Sequence, residues 1–262
     1  MTKKRDLLLL IVAYHPSMPE VDRLLSCLIQ LPTNIGYAVV VNDHIPGEPI
    51  DKLFIKSDYV LCNQENLGYG MAVNKLVSLV PYKPNLIGVL NTDLSWSKGS
   101  FEKIIDWLNF NQDVSLIVPQ ILNSDGQIQK LCKRNPTILG MLSRRFIPSR
   151  LKPNWLKRYD RWYTMSDQDY SNIFESQYLS GCCMLIRTSM FLDVGGFDER
   201  YFLYLEDADI TRMMSTKGRC LYYPFASVTH SWGRGNYKSF KLMIVNIVSA
   251  YKYFRKWGIS IW

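Results

Sequence analysis

Apolar runs and amphipathic segments alternate along the first half of the chain. The run at residues 7–14 is continuously apolar after a charged start, which is typical of a strand buried on both faces of a parallel sheet. A segment with leucines at helical spacing follows, and the alternation then repeats. The pattern predicts strands at 7–14, 37–43, 58–63, 86–93 and 114–122, and helices at 15–31, 68–80 and 99–111.

The second half of the chain is less regular. Residues 130–176 are basic, aromatic and interrupted by prolines, which indicates an excursion or lid rather than core. Residues 177–197 predict a strand and a short helix closed by Gly195 and Gly196. Residues 205–218 predict a helix ended by Gly218, and residues 220–230 predict strands that carry His230.

Strands and helices that alternate at short intervals predict an α/β fold, with a mostly parallel central sheet flanked by helices. Ligands bind at the carboxyl ends of the strands in such sheets. Polar residues occupy those ends, namely Tyr14, His15, Asn42, Asp43, Asn63, Asn91, Thr92 and Asp93. Each one alone is compatible with ordinary turn chemistry, because Asn and Asp favour turns. The whole set favours a site.

Composition narrows the class of protein. The chain has 262 residues, of which 47% are hydrophobic, so it has enough apolar residues for a real core and disorder is excluded. Six cysteines are scattered without a C-x-x-C pair, as expected for reduced core thiols. The apolar run near the start is too short to span a membrane and lacks a cleavage site, so we expect a cytoplasmic protein.

The positive charge is concentrated at the C-terminus. The net charge is +8, and residues 210–262 contain nine Lys or Arg and no Asp or Glu, which leaves the rest of the chain close to neutral. A basic tail of this kind needs a partner or a surface. Its last stretch is partly amphipathic, which suits an interfacial helix, or a helix that docks on the core or in a dimer.

Three carboxylates, those of Glu206, Asp207 and Asp209, follow the aromatic run YFLYL. A carboxylate there is costly unless it is paired, metal-bound or catalytic. Asp93 and His230 also end apolar strands, and together they would suit a hard divalent ion whose other positions a diphosphate fills. A remaining carboxylate would serve as a general base.

Simpler interpretations of these residues stay open. His230 is also compatible with a satisfied core histidine, and the acidic group with a helix N-terminus that the helix dipole favours. Glu206 is also compatible with a role as a capping partner.

Several longer segments carry a family resemblance: LLLLIVAYHP, VVVND, ENLGYGMAVNKLV, VLNTDL and the stretch at 178–230. The chain resembles family 2 glycosyltransferases of the GT-A fold, especially their bacterial polysaccharide rhamnosyltransferase-like branch, from about residue 7 to 235. The resemblance implies a Rossmann-like nucleotide-diphospho-sugar transferase domain at 1–235. Residues 1–125 would form its nucleotide-sugar half and 126–235 its acceptor and catalytic half. Residues 236–262 would be a basic, amphipathic helical tail.

The resemblance implies roles for matching residues. Asp207 would be the base, and Asp93 and His230 would hold Mn²⁺ or Mg²⁺ on the donor diphosphate. The expected nucleotide-side residues are Tyr14, Asn42, Asp43, Asn66, Gly68, Asn74 and Asn91. Glu206 and Asp209 would orient the acceptor or anchor their helix. Arg134 would contact a phosphate or remain a solvated charge.

The chain also departs from the family pattern. VVVNDH reverses the usual order of Asp and Asn, His15 replaces an Asn, and Thr92 replaces the common Pro. With the order of Asp and Asn reversed, the base-reading contact would come from Asp43 or be weakened. The three changes remove none of the expected metal ligands and leave the expected base in place.

The resemblance implies an inverting transferase of O-antigen or other lipopolysaccharide assembly, peripheral on the inner face of the cell membrane. The donor would be dTDP-L-rhamnose or a UDP-sugar, and the acceptor a glycan on a polyprenyl diphosphate. A catalytically inactive sugar-binding or scaffolding protein of the same fold is the alternative. A nucleic-acid partner is disfavoured, because no nucleic-acid motif is present and the charge lies in a tail. A homodimer is compatible with the sequence.

Overall fold

The computed structural model of the chain describes residues 5–231 and 240–262. The strands in these ranges are β1 Leu7–Ala13, β2 Ile35–Val41, β3 Tyr59–Cys62, β4 Leu86–Asn91, β5 Leu94–Trp96, β6 Val114–Leu122, β7 Phe174–Glu175, β8 Cys183–Arg187 and β9 Arg219–His230. The α-helices are α1 Met18–Leu28, α2 Tyr69–Leu79, α3 Ser100–Phe110, α4 Ile138–Phe146, α5 Asn154–Tyr163, α6 Thr188–Asp193, α7 Glu206–Met214 and α8 Phe240–Trp257. Two 3₁₀ helices occupy Pro49–Lys56 and Ser149–Leu151.

The strands pair in one sheet with the order β3-β2-β1-β4-β8-β6-β9-β5, and β7 pairs with β9. β1, β2, β3 and β4 form a parallel block, and β6 and β9 are also parallel. β8 runs antiparallel to β4 and β6, and β5 and β7 run antiparallel to β9. The α/β fold with a central sheet is confirmed. The sheet is mixed rather than mostly parallel, because the chain enters β8 from a long excursion and not from a helical crossover.

The apolar runs of the first half form the centre of the sheet. Every residue of β1 and β2 is buried, as expected for strands covered on both faces. One apolar cluster packs the sheet against α1 and α3, and the other packs it against α2, α6 and α7. α1 begins at a capping box in which Glu20 accepts a hydrogen bond from the backbone of Ser17.

The excursion at 130–176 is more ordered than its composition indicates. It contains α4 and α5, which pack against each other, and it contributes buried side chains to the core. Cys132, Met165 and Tyr170 join the apolar cluster that contains α2 and α7. The expectation that this segment lies outside the core is wrong for these residues, because its charges and prolines lie between inward-facing apolar side chains.

The C-terminal helix docks on the body of the protein. Tyr253 of α8 is buried in a cluster with Tyr178, Tyr201, Leu205 and Ala208. Ser249 donates a hydrogen bond to the Leu203 carbonyl at 2.8 Å. The docking role left open for the tail therefore holds for this face of α8. The expected boundary between residues 235 and 236 lies outside the described residues.

None of the helices in the described ranges combines the length and the apolar character that a bilayer crossing requires.

Candidate active site

The segments that precede α2 and α7 meet backbone to backbone. The Tyr69 amide donates to the Phe202 carbonyl at 3.0 Å. Gly68 has a φ of +85°, and a Cβ on it would lie 2.3 Å from the Phe202 carbonyl oxygen, so glycine is required here. Tyr204 and Leu205 also have positive φ angles, of 70° and 65°. This strained turn sets the direction in which α7 begins.

Asp207 lies in the first turn of α7 and is half-buried. Its Oδ2 accepts a hydrogen bond from the Gly181 amide at 3.2 Å, and its Oδ1 accepts one from the Ala208 amide at 3.0 Å. A Cβ on Gly181 would lie 3.1 Å from the Asp207 Cβ, and Tyr69 donates to the Gly181 carbonyl at 2.9 Å. Two backbone amides thus orient a carboxylate that solvent still reaches.

The other two acidic residues of α7 have different surroundings. Glu206 is buried, and its Oε2 has no hydrogen-bond partner among the described residues. Burial, and then the negative charge of Asp207, raises the pKa of Glu206 to about 8. The Glu206 carboxyl is therefore mostly protonated at neutral pH.

Asp209 anchors α7 to α8. Its side chain is fully buried, its Oδ1 accepts from the Trp257 indole at 2.6 Å, and its Oδ2 accepts from the Lys256 ammonium at 2.8 Å. Tyr201 donates to Oδ1 at 3.4 Å. Because both oxygens have partners within the protein, the anchoring role describes Asp209 and the acceptor-orienting role does not.

Asp93 and His230 lie side by side because β5 pairs with β9, with Leu94 opposite His230. The Asp93 Oδ2 lies 3.1 Å from the His230 Nε2, and both side chains are largely buried. The Asp93 Oδ1 is buried without a hydrogen-bond partner in the described part of the chain. An unpartnered buried carboxylate oxygen is costly and is a ready ligand for a cation.

Gln129 sets the tautomer of His230. Its amide nitrogen donates to the His230 carbonyl at 3.0 Å and approaches the Leu122 carbonyl at 3.4 Å, so its Oε1 faces the His230 Nδ1 at 3.2 Å. An amide oxygen only accepts, so the Nδ1 must carry the proton. In the neutral ring, the Nε2 beside Asp93 is then the nitrogen with the lone pair, as a metal-ligating histidine requires.

A carboxylate oxygen and an imidazole nitrogen are a donor set that Mn²⁺ accepts, and their spacing allows both to bind one ion. Among the described residues, no group of three His, Cys, Asp or Glu side chains converges. The protein would therefore supply two ligands here, and the remaining positions would fall to a diphosphate and water. Asn91, at the end of β4, makes no side-chain hydrogen bond with the described residues and lies near the same edge.

Asp93 and Asp207 converge on Cys182. Burial raises the pKa of the Cys182 thiol to about 12, and the negative charges of Asp93 and Asp207 both contribute to the rise. Cys182 directly precedes β8, and its carbonyl accepts a hydrogen bond at 3.0 Å from the amide of Asn91, two residues before Asp93. The amide of the neighbouring Gly181 donates to Asp207 at 3.2 Å. The structure therefore brings the expected base and the expected metal ligands into one region.

The carboxyl ends of β1 and β2 carry a second polar cluster. His15 has a φ of +44° and its Nδ1 pairs with Glu48, while its Nε2 lies 3.3 Å from the Asp43 Oδ2. The hydrogen bond to Glu48 raises the pKa of His15 most, and that to Asp43 adds to the rise. Tyr14 is exposed beside His15. Tyr14 and Asp43 are thus at the surface, where a ligand has access.

The expected nucleotide-side asparagines are mostly used within the chain. Asn42 is buried, donates to the Gly68 carbonyl at 3.1 Å and accepts from Asn63 at 3.1 Å. Asn74 bonds the backbone of Phe197 in both directions, at 2.8 and 3.0 Å. Asn66 accepts from the Gly68 amide at 2.9 Å. These three side chains shape the loop before α2 and leave few groups for direct ligand contact.

Arg134 does not point to open solvent. Its guanidinium donates to the Trp162 carbonyl, stacks 4.6 Å over the Trp162 ring and lies 3.5 Å from Asp167. These contacts occupy the guanidinium, so neither the phosphate contact nor the solvated charge describes it in this structure.

The neighbouring residue, Lys133, was missed by sequence reasoning. Its ammonium lies 4.2 Å from the centre of the Tyr178 ring. The only signal for it in the sequence is its place in the basic segment CKRNP.

A cavity of about 450 Å³ lies elsewhere, between α2 and α6. Leu8, Leu10, Val77 and Phe191 form its apolar wall, and Thr188 adds a buried hydroxyl without a partner in the described residues. Asp93, Asp207 and His230 do not line it. The candidate site therefore lies around Gly181 and Cys182 and does not coincide with this cavity.

No protein-family model matches the chain. In sequence it is similar to N-acetylglucosaminyl-diphospho-decaprenol L-rhamnosyltransferase of Mycobacterium tuberculosis, strain H37Rv. The two are 29% identical over 234 residues, which cover 84% of this chain and 74% of that protein.

Solved glycosyltransferase structures have the same fold. GalNAc-T7 with UDP, GalNAc and Mn²⁺ matches 96% of this chain with a TM-score of 0.68 at 14% identity. The mannosyltransferase PcManGT of Pyrobaculum calidifontis with GDP-Man and Mn²⁺ matches 97% with a TM-score of 0.61 at 12% identity. The chain spans 48% of the first structure and 64% of the second.

Proposed function

Because the chain is a GT-A glycosyltransferase of the rhamnosyltransferase-like kind, we propose that it transfers L-rhamnose from dTDP-L-rhamnose to a sugar on a polyprenyl diphosphate. The observation that carries the proposal is the position of Asp207 and the Asp93–His230 pair around the backbone of Gly181 and Cys182. The relative's rhamnosyl donor and its diphospho-decaprenol acceptor support the choice of substrates. The product would enter cell-surface polysaccharide, such as O-antigen.

Asp207 is the general base of the proposed reaction. Its carboxylate, oriented by the amides of Gly181 and Ala208, accepts the proton of the acceptor hydroxyl. The oxygen of that hydroxyl forms a bond to the anomeric carbon while the bond from that carbon to the diphosphate oxygen breaks. The nucleoside diphosphate leaves with the electron pair. One displacement from the opposite side inverts the configuration at the anomeric carbon.

Asp93 and His230 are the residues that would hold a divalent cation, Mn²⁺ or Mg²⁺. The cation would neutralise the charge that grows on the departing diphosphate. The unpartnered oxygen of Asp93 and the tautomer imposed by Gln129 fit this role. Glu206 fits this role less well, because burial raises the pKa of its carboxyl and disfavours the charged form.

A face of basic and apolar residues supports binding of the protein to a membrane surface. Residues 137–159 contain six Lys or Arg and no Asp or Glu. The end of the chain adjoins α4, since the amides of Ile138 and Leu139 donate to the carbonyls of Ser260 and Ile261. Large exposed apolar side chains in these two segments are Leu142, Phe146, Leu151, Trp155 and Trp262. We place this face on the anionic inner surface of the cell membrane, where the lipid-linked acceptor lies.

The function is tested with purified protein, dTDP-L-rhamnose, Mn²⁺ and a short-chain prenyl-diphospho-GlcNAc. We expect a rhamnosylated product by mass spectrometry and a loss of activity in EDTA that added Mn²⁺ reverses. Asp207→Asn should lower turnover by on the order of 10²–10⁴-fold while dTDP still stabilises the variant against heat. If the Asp207→Asn variant kept most of its activity, Asp207 would not be the general base.

A second experiment identifies the donor. A parallel assay with UDP-hexoses and a thermal-shift comparison of dTDP, UDP and GDP decide it, since the correct nucleotide raises the melting temperature most. A protein that binds none of them and transfers nothing would be the inactive sugar-binding or scaffolding alternative.

A further inference from the structure

Lys133 presents a positive charge beside the proposed base without a carboxylate partner. It is half-buried, and its ammonium lies 4.2 Å from the centre of the Tyr178 ring. Within the described ranges, no carboxylate lies within ion-pair distance of it. A cation that is partly removed from water and unpaired is costly, so such a position usually has a ligand-binding reason.

Tyr178 links Lys133 to the proposed base. The two residues exchange backbone hydrogen bonds at 2.9 and 3.0 Å, which fixes the ring under the ammonium. Burial, and then the negative charge of Asp207, holds the pKa of the Tyr178 hydroxyl well above its usual range. Tyr178 also packs in one cluster with Leu205 and Ala208, which lie on either side of Asp207 in the chain, so it joins the lysine to the segment that carries the proposed base.

A second cation, Arg144, lies one turn along α4 from Met141, and Met141 packs against the cluster that contains Tyr178. Burial, and then the positive charge of Arg144, lowers the pKa of Lys133 to about 8. Arg144 is exposed in the last turn of α4, and the described residues offer it no ion pair. The negative charge of Asp207 offsets part of this effect, but no carboxylate of the described residues forms an ion pair with Lys133 or Arg144. The two cations together therefore form a site for a doubly charged anion.

We propose that Lys133 and Arg144 bind the diphosphate of the lipid-linked acceptor and so position its sugar hydroxyl at Asp207. This inference rests on the proposed transferase function and deepens it. Lys133 and Arg144 are positioning residues, because they hold the part of the acceptor that does not react.

The acceptor diphosphate fits this site better than the donor diphosphate does. The Asp93–His230 pair already accounts for the donor diphosphate. The acceptor hydroxyl must lie at Asp207, and only one sugar ring separates it from the acceptor diphosphate in a monosaccharide-diphospho-lipid. Beyond Arg144, α4 ends at the exposed Phe146, so a lipid chain bound to this diphosphate leads towards the proposed membrane face.

The test compares Lys133→Gln and Arg144→Gln with a matched control, Lys130→Gln. Lys130 also lies over a tyrosine ring, 5.2 Å from the centre of Tyr170, but it is exposed and away from Asp207. Each protein is assayed with prenyl-diphospho-GlcNAc and with neutral octyl β-GlcNAc as acceptors. Lys133→Arg keeps the charge and serves as the conservative variant. Melting temperatures confirm that all variants fold.

We expect Lys133→Gln and Arg144→Gln each to raise the KM for the diphosphate acceptor on the order of tenfold, the size of one charge-assisted hydrogen bond. The KM for the neutral acceptor and for the donor should stay unchanged, and Lys133→Arg should restore most of the loss. A rise in donor KM instead would assign the cations to the donor diphosphate and overturn the inference. An equal rise for the neutral acceptor would also overturn it.

A binding measurement separates this inference from the proposed function. Citronellyl diphosphate is titrated into the protein with dTDP and Mn²⁺ present, and tryptophan fluorescence reports binding. If the wild-type protein transfers no rhamnose but binds this probe, and Lys133→Gln weakens the binding, the function fails and the diphosphate site stands. If the wild-type protein does not bind the probe, the diphosphate site fails.

Discussion

Asp93 and Asp209 are both carboxylates in apolar surroundings, yet their environments are opposite. Asp209 has partners on both oxygens, from Trp257, Lys256 and Tyr201. Asp93 faces one imidazole and keeps a buried oxygen without a partner in the described residues. The difference teaches that a buried acid stabilises the fold when both of its oxygens have partners within the chain. When one oxygen lacks a partner, the acid is available to bind a ligand.

The largest expected effect is on stability and comes from removing the Asp209 carboxylate. Asp209→Ala leaves the Lys256 ammonium without one of its two carboxylates and the Trp257 indole without an acceptor, so we expect a loss of about 3–5 kcal/mol of folding free energy. The melting temperature should fall by roughly 10 °C. Denaturant unfolding and calorimetry measure both. Asp167→Ala removes an exposed partner of Arg134 and should cost at most about 1 kcal/mol. Equal, small losses in the two variants would show that α8 is not anchored at Asp209.

The second effect separates activity from stability at the other carboxylate. Asp93→Asn keeps the shape of the side chain but removes its charge, so we expect transfer to fall by on the order of 10²–10³-fold. The melting temperature should stay the same or rise, since no partner in the described residues is lost at the free oxygen. Asp125→Asn, in an exposed turn, is the control. A destabilised but active Asp93→Asn protein would show that Asp93 has a structural role like that of Asp209.

A smaller effect tests the tautomer of His230. Gln129→Leu removes the acceptor at Nδ1, so the ring loses the contact that directs its Nε2 towards Asp93. We expect manganese affinity to fall by about 10-fold or somewhat more, with turnover at saturating Mn²⁺ nearly intact. A titration of activity against Mn²⁺ measures this, with Gln127→Leu as an exposed control. An unchanged manganese titration would argue against the metal role of His230.

The smallest effect at neutral pH concerns Glu206. Its pKa is about 8 in the folded protein against an ordinary value of 4.5, so the folded state retains a proton that the unfolded state releases. The resulting stabilisation is complete below pH 4.5 and is lost as the pH rises through 8. Glu206→Gln cannot ionise, so its melting temperature should exceed that of the wild-type protein by a margin that grows from pH 6 to pH 9. Parallel melting curves for the two proteins over this range would contradict the prediction. Glu65→Gln, at an exposed position, should follow the wild-type protein.

The fold was largely predictable where the pattern is local. β1, β2, β4 and β6 were expected within a few residues of their bounds, because an apolar run between polar ends depends on neighbours in the chain. β5 was missed, because a strand of three residues is too short to show an alternation of apolar and polar positions. The helices of the excursion were also missed, since prolines and charges masked the positions that face inward.

The candidate site was predictable in part for a similar reason. Asp93, Asp207 and His230 lie at the ends of recognisable elements, so their positions in the chain were informative. Gln129 and Lys133 lie in an irregular segment, and their roles depend on contacts with residues far along the chain. Asn42 and Asn74 were expected to contact the ligand, but their side-chain amides donate hydrogen bonds to backbone carbonyls of the chain.

Local sequence was thus sufficient for the alternation of strands and helices, the apolar centre of the sheet and the class of chemistry that Asp and His side chains support. The pairing of β5 with β9, the docking of α8 and the choice of which acid stays unpartnered came from the folded chain. Hydrophobic period is a property of neighbouring residues. The state of a carboxylate is set by whatever distant group reaches its oxygens, and that group is specified only when the chain has folded.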